Sequence, residues 1–206
     1  MIVFDFHSTL SLKSGKVNPF YVDEFMEQLE NGKIPNVEIG INDMKTYLKR
    51  YKETNESWYN AMKRSKINPK NLMPAIDDVI HFVDFMQPLG YVFTVASMLE
   101  EEKFIYDLLY YCFEQKGRLS PFKLSAIVST YGLKETNIKS KDKGDKWPHI
   151  EVIMKRNNFT FSKDQITMID DDRDTIQYMT SIGICSVYAT NYYTIQDWNK
   201  GCYVPL

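Results

Sequence analysis

The chain has 206 residues, 44% of them hydrophobic and 25% charged, with a net charge of −2. That length suits one α/β domain of ordinary size with room for a small insert. No stretch approaches the ~18 apolar residues a membrane helix needs, and no basic region precedes an apolar one at the N-terminus, so no membrane partner is expected and residues 2–6 read as structure rather than as a leader.

In chain order, the first β-rich run is IVFDF (2–6). Residues 11–75 hold no clear buried strand. They hold helical stretches at about 19–30 and 43–66, separated by a Gly-Lys-Ile-Pro turn region at 32–35, and are expected to form a mostly helical cap over the strand ends. From residue 76 the pattern becomes regular. Ile76, Val79, Ile80, Val83 and Met86 make one helical stripe, followed by VFTVA (92–96). Phe104, Ile105, Leu108, Leu109, Cys112 and Phe113 make a second stripe, followed by SAIVS (125–129). Residues 132–145 are polar and punctuated by glycine, and read as a mobile loop. A helix opening at Pro148 leads to QITMI (165–169), and a short one over 174–181, stopped by Gly183, leads to ICSVY (184–188).

Most of these runs are continuously apolar, as strands covered on both faces of a parallel sheet are. The expected fold is α/β: a Rossmann-like, doubly wound parallel sheet of about five strands, with core segments 1–10 and 76–206 and a helical insert at 11–75. Cys112, Cys185 and Cys202 form no CxxC pair and are odd in number. They read as buried free thiols in a reducing, cytoplasmic setting.

Charge is spread unevenly. Residues 45–70 carry eight bases (Lys45, Lys49, Arg50, Lys52, Lys63, Arg64, Lys66, Lys70) against Glu53 and Glu56, a balance of +6 that leaves −8 on the rest. A solvated helix face would explain this, and so would an anionic partner. Tyr47, Tyr51, Trp58 and Tyr59 are interleaved with those bases. They suit either stacking on the bases of a nucleotide or nucleic-acid end, or the apolar side of an amphipathic helix.

In a doubly wound sheet the functional crevice lies at the carboxyl ends of the strands. Asp5 ends the first run, Ser97 the second, and Asp170, Asp171 and Asp172 the fourth, while Lys146 opens the helix before it. A carboxylate, a hydroxyl, an ammonium and an acidic cluster suit phosphoryl transfer. An Asp can attack phosphorus. A Mg²⁺ held by oxygen ligands offsets the repulsion between two anions, and a hydroxyl and an ammonium hold the non-bridging oxygens. Asp172 or Asp174 can instead cap the next helix.

VFDFHSTL (3–10) resembles the first motif of the haloacid dehalogenase superfamily, VASM (95–98) its second, Lys146 its third-motif lysine and ITMIDDDRDTI (166–176) the double-aspartate form of its fourth. The stretch from Asp145 to Ala189 resembles the magnesium-dependent phosphatase branch, although the insert does not match that nearly capless group. The resemblance implies a Mg²⁺-dependent phosphatase acting on a phosphorylated substrate. Asp5 would be nucleophile and metal ligand, Ser97, Lys146 and Thr9 would bind phosphate, and Asp170 and Asp171 would complete the metal site with the His7 backbone carbonyl.

The family pattern has a second Asp where this chain has His7. Three readings stand open. His7 takes over acid/base work, for which an imidazole is suited near neutral pH; or turnover is impaired and the chain is a module binding a phosphorylated ligand or nucleic acid; or His7 is structural. His81 and His149 lie on helical patterns and receive no role.

Overall fold

Alternation along three residues sets the centre of the molecule. In β1 (Ile2–Phe4) all three side chains are buried, with Ile2 and Phe4 in one apolar cluster and Val3 in another. Successive side chains of a strand point to opposite faces, so β1 must have packing on both sides. Its neighbours are β2 (Phe93–Ser97) and β4 (Thr167–Asp170); β3 (Ile127–Ser129) and β5 (Cys185–Tyr188) form the edges. The order is β3-β2-β1-β4-β5 with every pairing parallel, as expected from the runs. The computed structural model describes residues 1–15, 18–31, 33, 38–98, 100–130, 133, 144–190, 192 and 197.

Two strands begin later than their apolar runs suggest. Leu124–Ala126 and Lys163–Gln165 are single 3₁₀ turns. The second is held by Ser162, whose backbone N–H donates to Gln165 Oε1 at 3.0 Å, a local bond that competes with the ladder. The 132–145 loop lies almost wholly outside the described residues, as do most of the 32–35 turn and Cys202.

Parallel neighbours require crossovers. The helices are α1 (Pro19–Glu30), α2 (Ile41–Leu48), α3 (Trp58–Ser65), α4 (Ile76–Met86), α5 (Glu102–Gln115), α6 (Trp147–Asn157) and α7 (Arg173–Ser181). Helices α4 and α5 cover the Ile2/Phe4 face, and α6 and α7 the Val3 face. Residues 43–66 are not one helix, as the spacing predicts, but α2, a 3₁₀ turn at Lys49–Tyr51, and α3. The intervening Lys-Glu-Thr-Asn-Glu-Ser stretch has no apolar stripe to bury. Asn55 turns left-handed there (φ 62°), and Ser57 caps α3 by accepting from Asn60 N–H at 3.3 Å.

The insert shares the core. Val22, Met26, Met44, Leu48 and Met62 belong to the same apolar cluster as Phe4, Val79 and Leu108. Its two connections meet where Leu12 N–H donates to Leu72 O at 3.2 Å. Buried Asp43 ties its first helices together, accepting from Asn18 N–H at 2.7 Å and Gly40 N–H at 2.9 Å. Gly40 lies so close to the Gly15 backbone that a Cβ there would collide with Gly15 N. Helix α3 rests on α5, where Asp107 Oδ2 accepts from Trp58 N–H at 2.9 Å and Tyr59 N–H at 3.3 Å and so caps a helix it is not part of.

Cys112 is a buried free thiol, as expected, but Cys185 is disulfide-bonded. This corrects the reading of three free thiols and removes the support they gave to a reducing compartment. Among the described residues, no helix is long and apolar enough to cross a membrane.

Asp107 is buried. Replacing it with Ala leaves two helix-start N–H groups without an acceptor, and Asp107→Ala should destabilise the fold by about 2 kcal/mol in urea unfolding, with the midpoint shifted and the slope unchanged.

Candidate active site

The register of the central strands brings the first two carboxylates together. Phe4 pairs with Ile169, so the next residues, Asp5 and Asp170, leave neighbouring strand ends side by side. Asp5 N–H donates to Ile169 O at 2.8 Å, which fixes that exit. Both residues are buried, at 6% and 1% exposure. Between them lies the ammonium of Lys146, bonded to Asp5 Oδ1 and 2.8 Å from Asp170 Oδ2. Lys146 is placed by the turn into α6. Just before it Gly144, at φ +80°, sits so close to the start of α7 that a Cβ would meet Asp174 C at 2.8 Å.

Asp171 follows Asp170, half-buried, and Thr9 Oγ1 reaches its Oδ1 at 3.4 Å. Asp172 turns away to cap α7: its Oδ1 accepts from Asp174 N–H at 3.2 Å and its Oδ2 from the Thr175 hydroxyl at 3.0 Å. All three adjacent acids border the crevice, but Asp172 spends its oxygens on capping α7, which leaves Asp170 and Asp171 to cluster with Asp5. One oxygen from each of Asp5, Asp170 and Asp171 lies within 4.8 Å of the others.

Three carboxylates and one ammonium in a poorly solvated place leave an excess of two negative charges. Burial pushes Asp170 up to about 6, with Lys146 opposing and Asp5 adding to the rise. Burial, and then Asp170, raise Asp171. Burial alone would lower Lys146, but Asp170 and Asp5 outweigh it and hold the ammonium charged. An all-oxygen donor set with this charge excess fits a hard divalent cation such as Mg²⁺.

The crevice has a volume of about 290 Å³, and its lining includes Asp5, His7, Lys146, Asp170 and Asp171. Lys13 and Ser14, at the entry to the insert, also line it. Ser97 does not; it is fully buried at the end of β2, and its hydroxyl finds no hydrogen-bond partner among the described residues. His7 follows Asp5 through a tight turn. Ser8 is left-handed (φ 57°), and Leu10 and Ser11 N–H both donate to Phe6 O, at 3.0 and 2.8 Å. The His7 ring lies edge-on to Phe6, and its Nε2 is 3.9 Å from Glu100 Oε1.

Glu100, Lys13 and Gly144 were not singled out by sequence reasoning, and Lys45 only as one of the bases of 45–70, because their placement depends on tertiary contacts that no local pattern encodes. His149 is buried on α6, and burial, then Lys146, push its imidazole down to about 3.

No family model and no curated protein matches this sequence. Among solved structures, the chain is similar to a HAD-superfamily hydrolase from Ehrlichia chaffeensis, with 16% identity and a TM-score of 0.50, over 97% of this chain and 93% of that one. It is also similar to a HAD hydrolase, family IA, variant 3, from Entamoeba histolytica, with 17% identity and a TM-score of 0.49, over 100% and 91% of the two chains. The chain has the fold of the haloacid dehalogenase superfamily hydrolases.

Proposed function

We propose that this chain is a Mg²⁺-dependent phosphomonoesterase in which Asp5 is the nucleophile and His7 the acid/base. The observation that carries the reading is the Lys146 ammonium held between Asp5 and Asp170, with Asp171 beside them, at the floor of an open crevice. Asp5, Asp170, Asp171 and the His7 carbonyl would hold the ion, which when bound supplies the positive charge that lets two anions approach.

The chain's own residues then do the following. Lys146 aims the Asp5 carboxylate by bonding its Oδ1. An Asp5 oxygen bonds to phosphorus as the bond to the leaving oxygen breaks, and His7 gives that oxygen a proton. His7 next takes a proton from water, which attacks phosphorus and frees Asp5. Lys146 and Ser97 steady the non-bridging oxygens, Ser97 after it turns from its buried, unpartnered position, and Thr9 steadies Asp171.

A crevice of this size suits a small phosphomonoester or nucleotide. Most of the bases in 45–70 serve elsewhere. Lys45, Arg50, Lys63, Arg64 and Lys70 lie in ion pairs with acids, and Lys52 lies over Trp58. A nucleic-acid substrate would reveal itself by binding that weakens steeply with salt. The second reading, a phosphate-binding module with turnover lost, rests on His7 standing where the fold's hydrolases carry Asp.

Phosphate release from para-nitrophenyl phosphate should need Mg²⁺ and fall by more than about a hundredfold in Asp5→Asn. Unchanged release in that variant overturns the mechanism. A silent wild type with an active His7→Asp variant selects the binding module.

Metal binding has a readout apart from activity. Raised to about 6, Asp170 binds more protons in the folded than in the unfolded chain between its ordinary value near 3.8 and 6. Its contribution to stability is therefore present at low pH and is lost as pH rises through about 6. Above that the acids repel, and a cation relieves them. Saturating Mg²⁺ should raise Tm by roughly 5 °C at pH 7.5, clearly less at pH 5, and not at all in Asp170→Asn.

A further inference from the structure

Three glutamates run together at 100–102, where β2 hands over to α5. Glu101 and Glu102 sit at the start of a helix, where negative charge is favoured. Glu100 does not share that explanation. Its side chain is 5% exposed and turned into the seam between the core and the insert. One oxygen, Oε2, accepts from Lys45 Nζ of α2 at 2.9 Å; the other, Oε1, faces His7 Nε2 at 3.9 Å. Lys45 is itself held, with its ammonium 4.6 Å from the Phe104 ring centre and 5.5 Å from that of Trp58.

A carboxylate buried like this is costly to desolvate, and an apolar pair of similar shape would often stabilise the seam as well or better. Packing alone therefore gives a weak reason for an acid here. Geometry gives a stronger one. His7 lines the crevice, and among the described residues its buried Nε2 has no hydrogen-bond partner; the Glu100 carboxylate lies just beyond hydrogen-bond reach. A small turn of the ring brings Nε2–H onto Glu100 Oε1. That contact would set both the plane of the imidazole and the nitrogen that carries its proton.

We propose that Glu100 is a positioning residue for His7, and that Lys45 makes this positioning depend on the seating of the insert's α2. This rests on the reading of His7 as the proton-transfer residue. Glu100 is not among the residues lining the crevice. It acts only through the ring it orients, and Lys45 acts only through Glu100. The insert thereby contributes to turnover without placing a base of its 45–70 stretch in the crevice.

The test uses the full chain at one fixed pH, with Glu100→Gln, Lys45→Met and the double variant. Glu100→Gln should lower kcat about ten- to a hundredfold with KM within about twofold, as loss of an orienting partner does. Lys45→Met should lower it in the same direction, and the double variant should cost little more than Glu100→Gln alone. In a His7→Ala background, Glu100→Gln should have no further effect. An equal loss of kcat in that background overturns the proposal. A second readout needs no activity: in spectra of the imidazole nitrogens, His7 resonances should move in Glu100→Gln and Lys45→Met while those of His81 stay. His7 resonances that stay put in a folded Glu100→Gln protein overturn the proposal. A wild type without phosphatase activity but with the His7 shifts would sink the phosphatase reading and leave the positioning contact standing.

Discussion

A single buried ammonium organises the carboxyl end of this sheet. Neighbouring parallel strands lie about 4.8 Å apart, and the β1–β4 register sends Asp5 and Asp170 out of adjacent strands together. Without a cation between them, two buried carboxylates at that spacing cannot both stay ionised at little cost. Lys146 supplies the cation from the N-cap of α6. It neutralises one charge of three and leaves the crevice with an excess of negative charge. The constraint reaches back along the chain. Lys146 reaches this spot because the turn before it can press against the start of α7, which Gly144 permits and a Cβ would forbid.

The same logic of charge explains the insert. Its excess of bases looks from the sequence like a surface awaiting a polyanion, yet in the folded chain several of them meet acids of the body. Lys45 pairs with Glu100, Lys63 with Glu114 and Lys70 with Asp77, while Arg50 and Arg64 pair within the insert. The exposed pairs contribute little each. The insert is held mainly by apolar continuity with the core, by Asp107 capping α3 and by the partly buried Lys45–Glu100 pair. A basic segment on an acidic body can therefore reflect two parts of one chain seated on each other.

What was legible in the sequence and what was not divides by range. The strands were legible because burial on both faces writes itself as an unbroken apolar run, Asp5, Asp170 and Asp171 because strand ends fall where those runs stop, and Lys146 because it opens the helix before the fourth run. The break between α2 and α3 was there to be read in Lys-Glu-Thr-Asn-Glu-Ser, a stretch with nothing to bury. Glu100 was not legible. Between two other glutamates it has the appearance of a helix-start acid, and only the packing of α2 across the seam separates it from its neighbours. The disulfide at Cys185 was hidden for a similar reason, since no local spacing marks it.

His7 is where the local and the global meet. A carboxylate in its place would stand near Asp5, Asp171 and Glu100, adding a further negative charge to a site already in excess. An imidazole adds none when neutral, and when protonated it offsets some of that excess. Glu100 would be a poor neighbour for an Asp and is a good one for a His. The acid on the β2–α5 loop and the departure from the double-aspartate pattern in the first motif thus make physical sense as a pair. The base on α2 completes the arrangement by satisfying the second oxygen of the same carboxylate.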